Sequence, residues 1–336
     1  MADRLTLSRS FLMSAGWDGA ERAYLAGDAS DRSYDRLRLG GKTAVLMDAP
    51  PGQGDDPAQF LAIAKHLSGL GLSAPLCLAD DLAHGFLLLE DLGDGIYAKI
   101  VQNDASLEQP LYEAAVDVLA HLQSAPPPSQ LPNLSASDWA TGAGLALDWY
   151  GFAITETHVA PAEFTGCLTD LMHRHADGPR VMILRDYHAE NLIWLPDRTG
   201  LARVGLLDFQ LAQMGQPGYD LVSLLQDARR DVSLHMERAM KARFVAATGV
   251  ETLAFETTYA VLGAQRALRI LGIFARLCLV AGKPGYLPLI PRVWQQLQRN
   301  LATSALAPLA KICADLLPEP TPQALAIIGS KCGHFR

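Results

Sequence analysis

Asp186-Tyr187-His188-Ala189-Glu190-Asn191, followed by Leu207-Asp208-Phe209, constrains this chain more than any other stretch. It sets an acid, an amide five residues later, and a second acid at the end of an apolar run. Phosphoryl transfer from ATP needs that set: a base for the acceptor hydroxyl, and an amide and a carboxylate for magnesium. The flanks supply a frame. Val181-Met182-Ile183-Leu184 and Leu192-Ile193-Trp194-Leu195 both read as short buried strands. The chain must turn sharply between them, which puts Asp186 and Asn191 on one tight loop. A third apolar run, Val204 to Leu207, ends at Asp208, and Pro196-Asp197-Arg198-Thr199-Gly200 before it is turn chemistry. The second and third runs are therefore expected to form a hairpin. Either acid alone would be an ordinary turn or strand-end carboxylate. Three such groups around one hairpin favour chemistry.

The chain has 336 residues, which suits one two-lobed domain or two modest ones. Lys and Arg number 28 against 36 Asp and Glu, a net charge of −8. That argues against a nucleic-acid partner, whose phosphates reward a basic face. Cys77, Cys167, Cys278, Cys313 and Cys332 are scattered, so neither a disulfide framework nor a zinc site is expected. Met1-Ala2-Asp3-Arg4 opens no apolar signal stretch. Tyr259 to Val280, the longest apolar region, is broken by Arg266, Arg269 and Arg276 and does not read as a membrane span. The expectation is a cytoplasmic protein with no membrane partner.

Residues 1 to about 92 read as a small strand-rich lobe. Runs at 21–26, 33–39 and 43–48 partly alternate and are separated by Gly or Asp. Residues 57–70 carry Phe60, Ile63, Ala64, Leu67 and Leu70 at helical spacing. Strands are expected at 76–78 and 86–89, and a hinge at about 90–95, over Glu90-Asp91-Leu92-Gly93-Asp94-Gly95. Beyond it, from 96 to 336, the pattern turns helical. Helices are expected from about Leu111 to Leu122 and near 137–151, 161–176, 218–228, 233–247, 253–281, 288–302 and 305–316, with the last residues loosely held. Asp220 falls at a helix start, most simply as an N-cap.

Several segments carry chemistry only in context. Gly27-Asp28-Ala29-Ser30-Asp31-Arg32-Ser33 lies between two strands and is either a polar hairpin turn or a phosphate-binding turn donating from Ser30 and Arg32. Gly40-Gly41-Lys42-Thr43 imitates a P-loop end, but Arg36 stands where that motif needs glycine, so Lys42 reads as a solvated turn residue. Arg266, Arg269 and Arg276 share a helical face, either solvated or meeting an anionic substrate. Trp139, Trp149 and Tyr150 read as core or as platforms for a sugar ring.

Leu184-Arg185-Asp186-Tyr187-His188-Ala189-Glu190-Asn191 resembles the catalytic loop of the aminoglycoside phosphotransferase and choline kinase-like family, which usually reads His-Gly-Asp-x-His-x-x-Asn. Leu207-Asp208-Phe209 is similar to that family's metal-binding segment, and Gly215-Gln216-Pro217-Gly218-Tyr219-Asp220-Leu221 to the stretch that follows it. Asp28 to Tyr34 and Val45 to Pro51 narrow the likeness to bacterial kinases of the anomeric hydroxyl of N-acetylated amino sugars. The resemblance implies an α+β, two-lobed, protein-kinase-like fold. Its lobes are a β-rich nucleotide-binding lobe at 1–92 and a helical catalytic and substrate lobe at 96–336.

It further implies ATP and Mg2+ as cofactors. Asp186 acts on the acceptor hydroxyl, with Arg185 and His188 beside it. Asn191 and Asp208 hold the metal. Ser30, Asp31 and Arg32 meet the phosphates, and Glu90 to Leu92 take the adenine through their backbone. Asp220, in the family, braces the catalytic loop. The acceptor implied is an N-acetylated amino sugar; choline, homoserine or an aminoglycoside are rivals, as is a non-catalytic binding module of the same fold. One departure stands out. The family's small lobe pairs a strand Lys or Arg with a helix Glu, and those positions fall near Met47 and Phe60. Losing both partners costs less than losing one, since no buried charge is left over. Arg32 and Arg185 are the candidates for the missing cation.

Overall fold

Residues 33–48 set a partly alternating run and a continuous apolar run, Ala44 to Met47, on either side of Gly40-Gly41, and they fold as a hairpin. Gly40 and Gly41 sit at φ +54° and +81°, which a two-residue hairpin turn demands and only glycine adopts without strain. Lys42 is exposed there, as a solvated turn residue. The computed structural model describes residues 3–27, 32–54 and 56–335. Its residues fall into two units: 1–128 with 189–212, and 129–188 with 213–336.

The first unit opens with helix α1 (Arg4–Ser14), capped by the Asp3 side chain on the Thr6 N–H. Five strands follow: β1 (Glu21–Gly27), β2 (Ser33–Leu39), β3 (Lys42–Asp48), β4 (Cys77–Asp81) and β5 (Phe86–Glu90). They form one antiparallel sheet in the order β1-β2-β3-β5-β4. Leu37, Ala44, Leu46, Phe86 and Leu88 project from one face, where Phe11 and Leu12 of α1 complete the cluster. Helix α2 (Pro57–Gly69) starts at an Asp56 cap with proline in its first turn and buries Phe60, Ile63, Ala64 and Leu67. Helices α3 (Tyr97–Asn103) and α4 (Glu108–Ser124) belong to the same unit. So does the expected hairpin, strands β7 (Leu192–Trp194) and β8 (Val204–Leu206), which pair antiparallel. Leu92, Ile193 and Leu195 make its small core.

The second unit is mainly helical. It holds α5 (Ala136–Ala143), α6 (Phe152–Thr155), α7 (Ala162–His175), strand β6 (Val181–Ile183), strand β9 (Gln213–Gly215), and helices α8 (Tyr219–Leu225), α9 (Leu234–Thr248), α10 (Thr252–Leu279), α11 (Ile290–Leu301), α12 (Ala307–Leu316) and α13 (Pro322–Ser330). β6 pairs with β9, which a reading of local runs does not reveal. The 28-residue α10 is buried along most of its length and is the unit's spine.

Three expectations are corrected. The helix expected at 137–151 ends at Ala143; a π-helical turn over Ala146–Gly151 replaces its second half. The C-terminal residues are tied down: α13 is followed by the Gly333 N–H on the Cys278 carbonyl at 3.0 Å and the Lys331 Nζ on the Ala153 carbonyl at 2.8 Å. The solvated-face reading fails for Arg266, which is 6% exposed and donates to the Gln226 carbonyl at 3.1 Å and Ser223 Oγ at 2.9 Å. Trp139 and Tyr150 are core residues, and the Tyr150 hydroxyl donates to the Pro318 carbonyl at 2.6 Å.

Candidate active site

The two halves of the loop belong to different units, because the chain passes from one to the other between His188 and Ala189. In the helical unit, β6 delivers Leu184 and Arg185. Both of their N–H groups donate to the Asp220 carboxylate, at 2.6 and 2.8 Å. Asp220 lies inside the first turn of α8, after Gly218, so the N-cap reading gives way to a brace for the catalytic loop. It is fully buried. Burial pushes its carboxyl up to about 7, against the two N–H bonds, which favour the ionised form.

Arg185 then stands at φ +72°. A side chain in this left-handed region costs on the order of 1–2 kcal/mol. The Asp186 N–H donates to the Leu184 carbonyl at 2.9 Å, which tightens the turn and sets Asp186 half-buried behind the brace. His188 is buried, with Arg229 Nη1 3.4 Å from its Nε2. Burial first, and the Arg229 charge second, hold its imidazole well below the ordinary range, so it is neutral at neutral pH.

A stability consequence follows for His188. Below its ordinary value of 6.5 the unfolded chain takes up a proton that the folded chain refuses. Stability from this group is complete above that pH and is lost as pH falls through it, by up to about 1.4 kcal/mol per pH unit. Chemical denaturation between pH 7.5 and 5.5 should show a smaller loss in His188→Gln than in the unmutated protein. Equal losses in the two would contradict the buried neutral imidazole.

In the sheet-bearing unit, the Leu207 N–H donates to the Asn191 carbonyl at 3.0 Å, an added rung on the β7–β8 hairpin. That rung sets Asn191 beside the step to Asp208. Asp208 adopts φ +56°. Among the described residues only three non-glycines have positive φ, and Arg185 and Asp208 are two of them. Strained backbone gathers at functional loops; one of these positions directly precedes the motif's first acid, Asp186, and the other is its second acid. The Asp208 Oδ1 accepts from Arg32 Nη2 at 3.2 Å and from Gln210 Nε2 at 2.8 Å. Arg32 is 4% exposed.

Asn191 and Asp208 offer an amide and a carboxylate oxygen, the hard donors magnesium takes. A magnesium ion bound through few protein ligands completes its shell with water and substrate phosphates, so a two-residue set fits. The Arg32 contact is consistent with a carboxylate set to face positive charge.

The other expected nucleotide contacts divide. Ser30 and Asp31 lie outside the described residues. The Glu90 side chain is committed to Arg198 Nη2 at 2.5 Å and accepts from the Leu76 N–H at 3.3 Å. Leu92 is buried in the hairpin core. Only backbone groups of these two could meet a base.

Met47 and Phe60 are both buried, at 1% and 5% exposure. The Phe60 ring stacks on Phe209, centroids 4.8 Å apart at 25°. An aromatic contact with the residue after Asp208 is thus made from the helix position at which the family resemblance implies a charge. Sequence reading missed this stack, the Gln210 contact and the Arg229–His188 contact, because nothing local in a sequence signals them. Met47→Lys would bury a new cation and should lower stability by on the order of 1–3 kcal/mol without raising turnover. A Met47→Lys protein that is more active and equally stable would show that Met47 does not stand at the cation position.

Comparison with known proteins supplies the rest. Residues 22–257 match the model of the phosphotransferase enzyme family. A protein of Caulobacter vibrioides described as N-acetylmuramate/N-acetylglucosamine kinase is 38% identical, covering 92% of this chain and 95% of that one. A protein of Pseudomonas aeruginosa with the same description is 32% identical, covering 90% and 92%. An ADP-bound aminoglycoside phosphotransferase superposes with a TM-score of 0.56 at 14% identity, covering 88% of this chain and 97% of its own, a likeness of fold. The architecture is thus the kinase-like one, with a five-stranded antiparallel lobe and a helical lobe. Family match and relatives together show that the chain belongs to the phosphotransferase enzyme family.

Proposed function

We propose that the protein transfers a phosphoryl group from ATP to the anomeric hydroxyl of N-acetylmuramate and N-acetylglucosamine, giving sugar 1-phosphates in cell-wall sugar recycling. The observation that carries this acceptor is the 38% identity, over 92% of the chain, to the Caulobacter kinase of those two sugars. The intact acid–amide–acid set supports the chemistry.

Asp186 orients the acceptor hydroxyl and accepts its proton. Asp220, by holding two consecutive N–H groups, fixes the loop that carries Asp186. His188, neutral, braces the same loop. Asn191 and Asp208 would hold magnesium, which when bound offsets the negative charge of the phosphates. Arg32 stands in for the missing strand cation, and Ser30 and Asp31 complete the phosphate-binding turn. The adenine lies against the backbone of Glu90 to Leu92, the hinge at about 90–95 between a nucleotide lobe at 1–92 and a catalytic lobe at 96–336. No helix of the described residues is long and apolar enough to cross a membrane. The acidic balance and scattered cysteines support a cytoplasmic enzyme without nucleic-acid partners.

A panel assay tests the acceptor. ATP turnover is measured with N-acetylmuramate, N-acetylglucosamine, choline, homoserine and an aminoglycoside. Turnover with the two sugars is expected to dominate. Turnover confined to another acceptor would replace the sugar reading, and none with any acceptor would favour a binding module.

A further inference from the structure

Helix α1 packs on one face of the five-stranded sheet, against Leu37, Ala44, Leu46, Phe86 and Leu88. Register puts Tyr34 opposite Met47 and Arg36 opposite Val45. Residues two apart on a strand share a face. Arg36 therefore stands on the face away from α1, with Met47, the position at which the family resemblance implies a cation. From there its guanidinium reaches the segment after β5. Nε lies 2.8 Å from Asp91 Oδ2, and Nη2 donates to Asp91 Oδ1 at 2.9 Å. Nη1 donates to both Asp94 oxygens, at 2.8 and 2.9 Å. Asp91 Oδ1 also accepts the Gly93 N–H at 3.0 Å, and Gly93 takes φ +83°. One side chain of β2 thus holds residues 91–94 in a curl. The far end of the segment is fixed by backbone groups. The Trp194 N–H donates to the Gly95 carbonyl at 2.7 Å, and Ile96 bridges to Ile193. A β-carbon at Gly95 would come within 2.6 Å of the Trp194 carbonyl oxygen, so glycine alone allows that approach.

The segment 91–96 is thereby suspended between two strands. β7 begins directly after Asn191, and β2 follows directly on Arg32, which donates to Asp208. We propose that Arg36 is a positioning residue for ATP: by clamping Asp91 and Asp94 it sets the span between the backbone that takes the base and the turn that takes the phosphates. This rests on the kinase reading above and extends it to a residue outside the motif. Without the clamp the segment samples other arrangements. Apparent affinity then falls by the fraction of molecules that keep the binding-competent one. The clamp acts on the nucleotide, so its loss separates ATP from the acceptor.

Calorimetric titration with ATP and magnesium tests this. Arg36→Gln alone strands the Asp91 carboxylate, whose side chain is 7% exposed, and puts folding at risk. Arg36→Gln combined with Asp91→Asn removes both charges together. If about a tenth of the molecules keep the competent arrangement, the Kd for ATP rises roughly tenfold in that double variant. Asp94→Asn removes only the outer partner, whose side chain is 71% exposed, and should raise it by a smaller factor. Arg36→Lys offers a point charge in place of the planar fork and should fall between the double variant and the unmutated protein. The KM for N-acetylglucosamine at saturating ATP should stay where it is in all three. Titration stoichiometry counts only folded protein, so a partly unfolded preparation does not imitate a weaker Kd. A lower melting temperature with an unchanged Kd for ATP would make the clamp a structural staple and overturn the proposal. Equal rises in the ATP Kd and the sugar KM would overturn it as well. Unmutated protein that binds no ATP would end the kinase reading itself.

Discussion

Asp186→Asn is expected to lower turnover by roughly 10²–10⁴-fold, the usual range for a lost general base, while ATP affinity stays essentially unchanged. The substitution keeps size and hydrogen-bonding geometry, and Asp220 still holds the preceding N–H groups at 2.6 and 2.8 Å. What disappears is the acceptor for the hydroxyl proton. An anomeric hydroxyl is more acidic than an ordinary alcohol, so positioning should count for more than proton removal, as is general for loose phosphoryl transfer. Single-turnover kinetics alongside nucleotide titration separates the two effects. Turnover within tenfold of the unmutated protein would remove Asp186 from the role of base.

The second large effect concerns Asp208. ATP should bind more tightly with magnesium than with chelator, and Asp208→Ala should abolish that gain. The hairpin rung from Leu207 to Asn191 survives the substitution, since it is made by backbone groups. The lost carboxylate is therefore a local change, and melting curves of the variant check this. Equal ATP affinity with magnesium and with chelator in the unmutated protein would contradict the kinase reading itself.

Local patterning made much of this fold legible. β2 partly alternates and β3 is an apolar run, on either side of two glycines; α2 has its stripe between an Asp cap and a glycine end; β7 and β8 flank turn chemistry. Helix α1 escaped because Leu5 and Leu7 alternate with polar residues, as in a strand, and only Ser8, Phe11 and Leu12 are buried. The pairing of β6 with β9 and the insertion of β5 between β3 and β4 join residues far apart in the chain, which periodicity cannot encode.

At the candidate site the motif marked Asp186, Asn191 and Asp208, since acid and amide spacing is local information. The positive φ of Arg185 and Asp208 had no sequence signal beyond the glycine that the family keeps at the first. Asp220 looked like a cap because its helix start is local, whereas its partners lie 36 and 35 residues away in the chain. Arg266 looked solvated because a helical face of arginines usually is; burial against Ser223 and the Gln226 carbonyl became visible only with the tertiary structure.

The central claim is transfer to the anomeric hydroxyl, and phosphorus NMR of the product tests it most directly. The protein is incubated with ATP, magnesium and N-acetylglucosamine or N-acetylmuramate, and the phosphorus resonance is assigned by its coupling to the sugar protons. Coupling to the anomeric proton, a sugar 1-phosphate, is the expected result; coupling to the C6 protons, or no phosphorylated sugar at all, would contradict it.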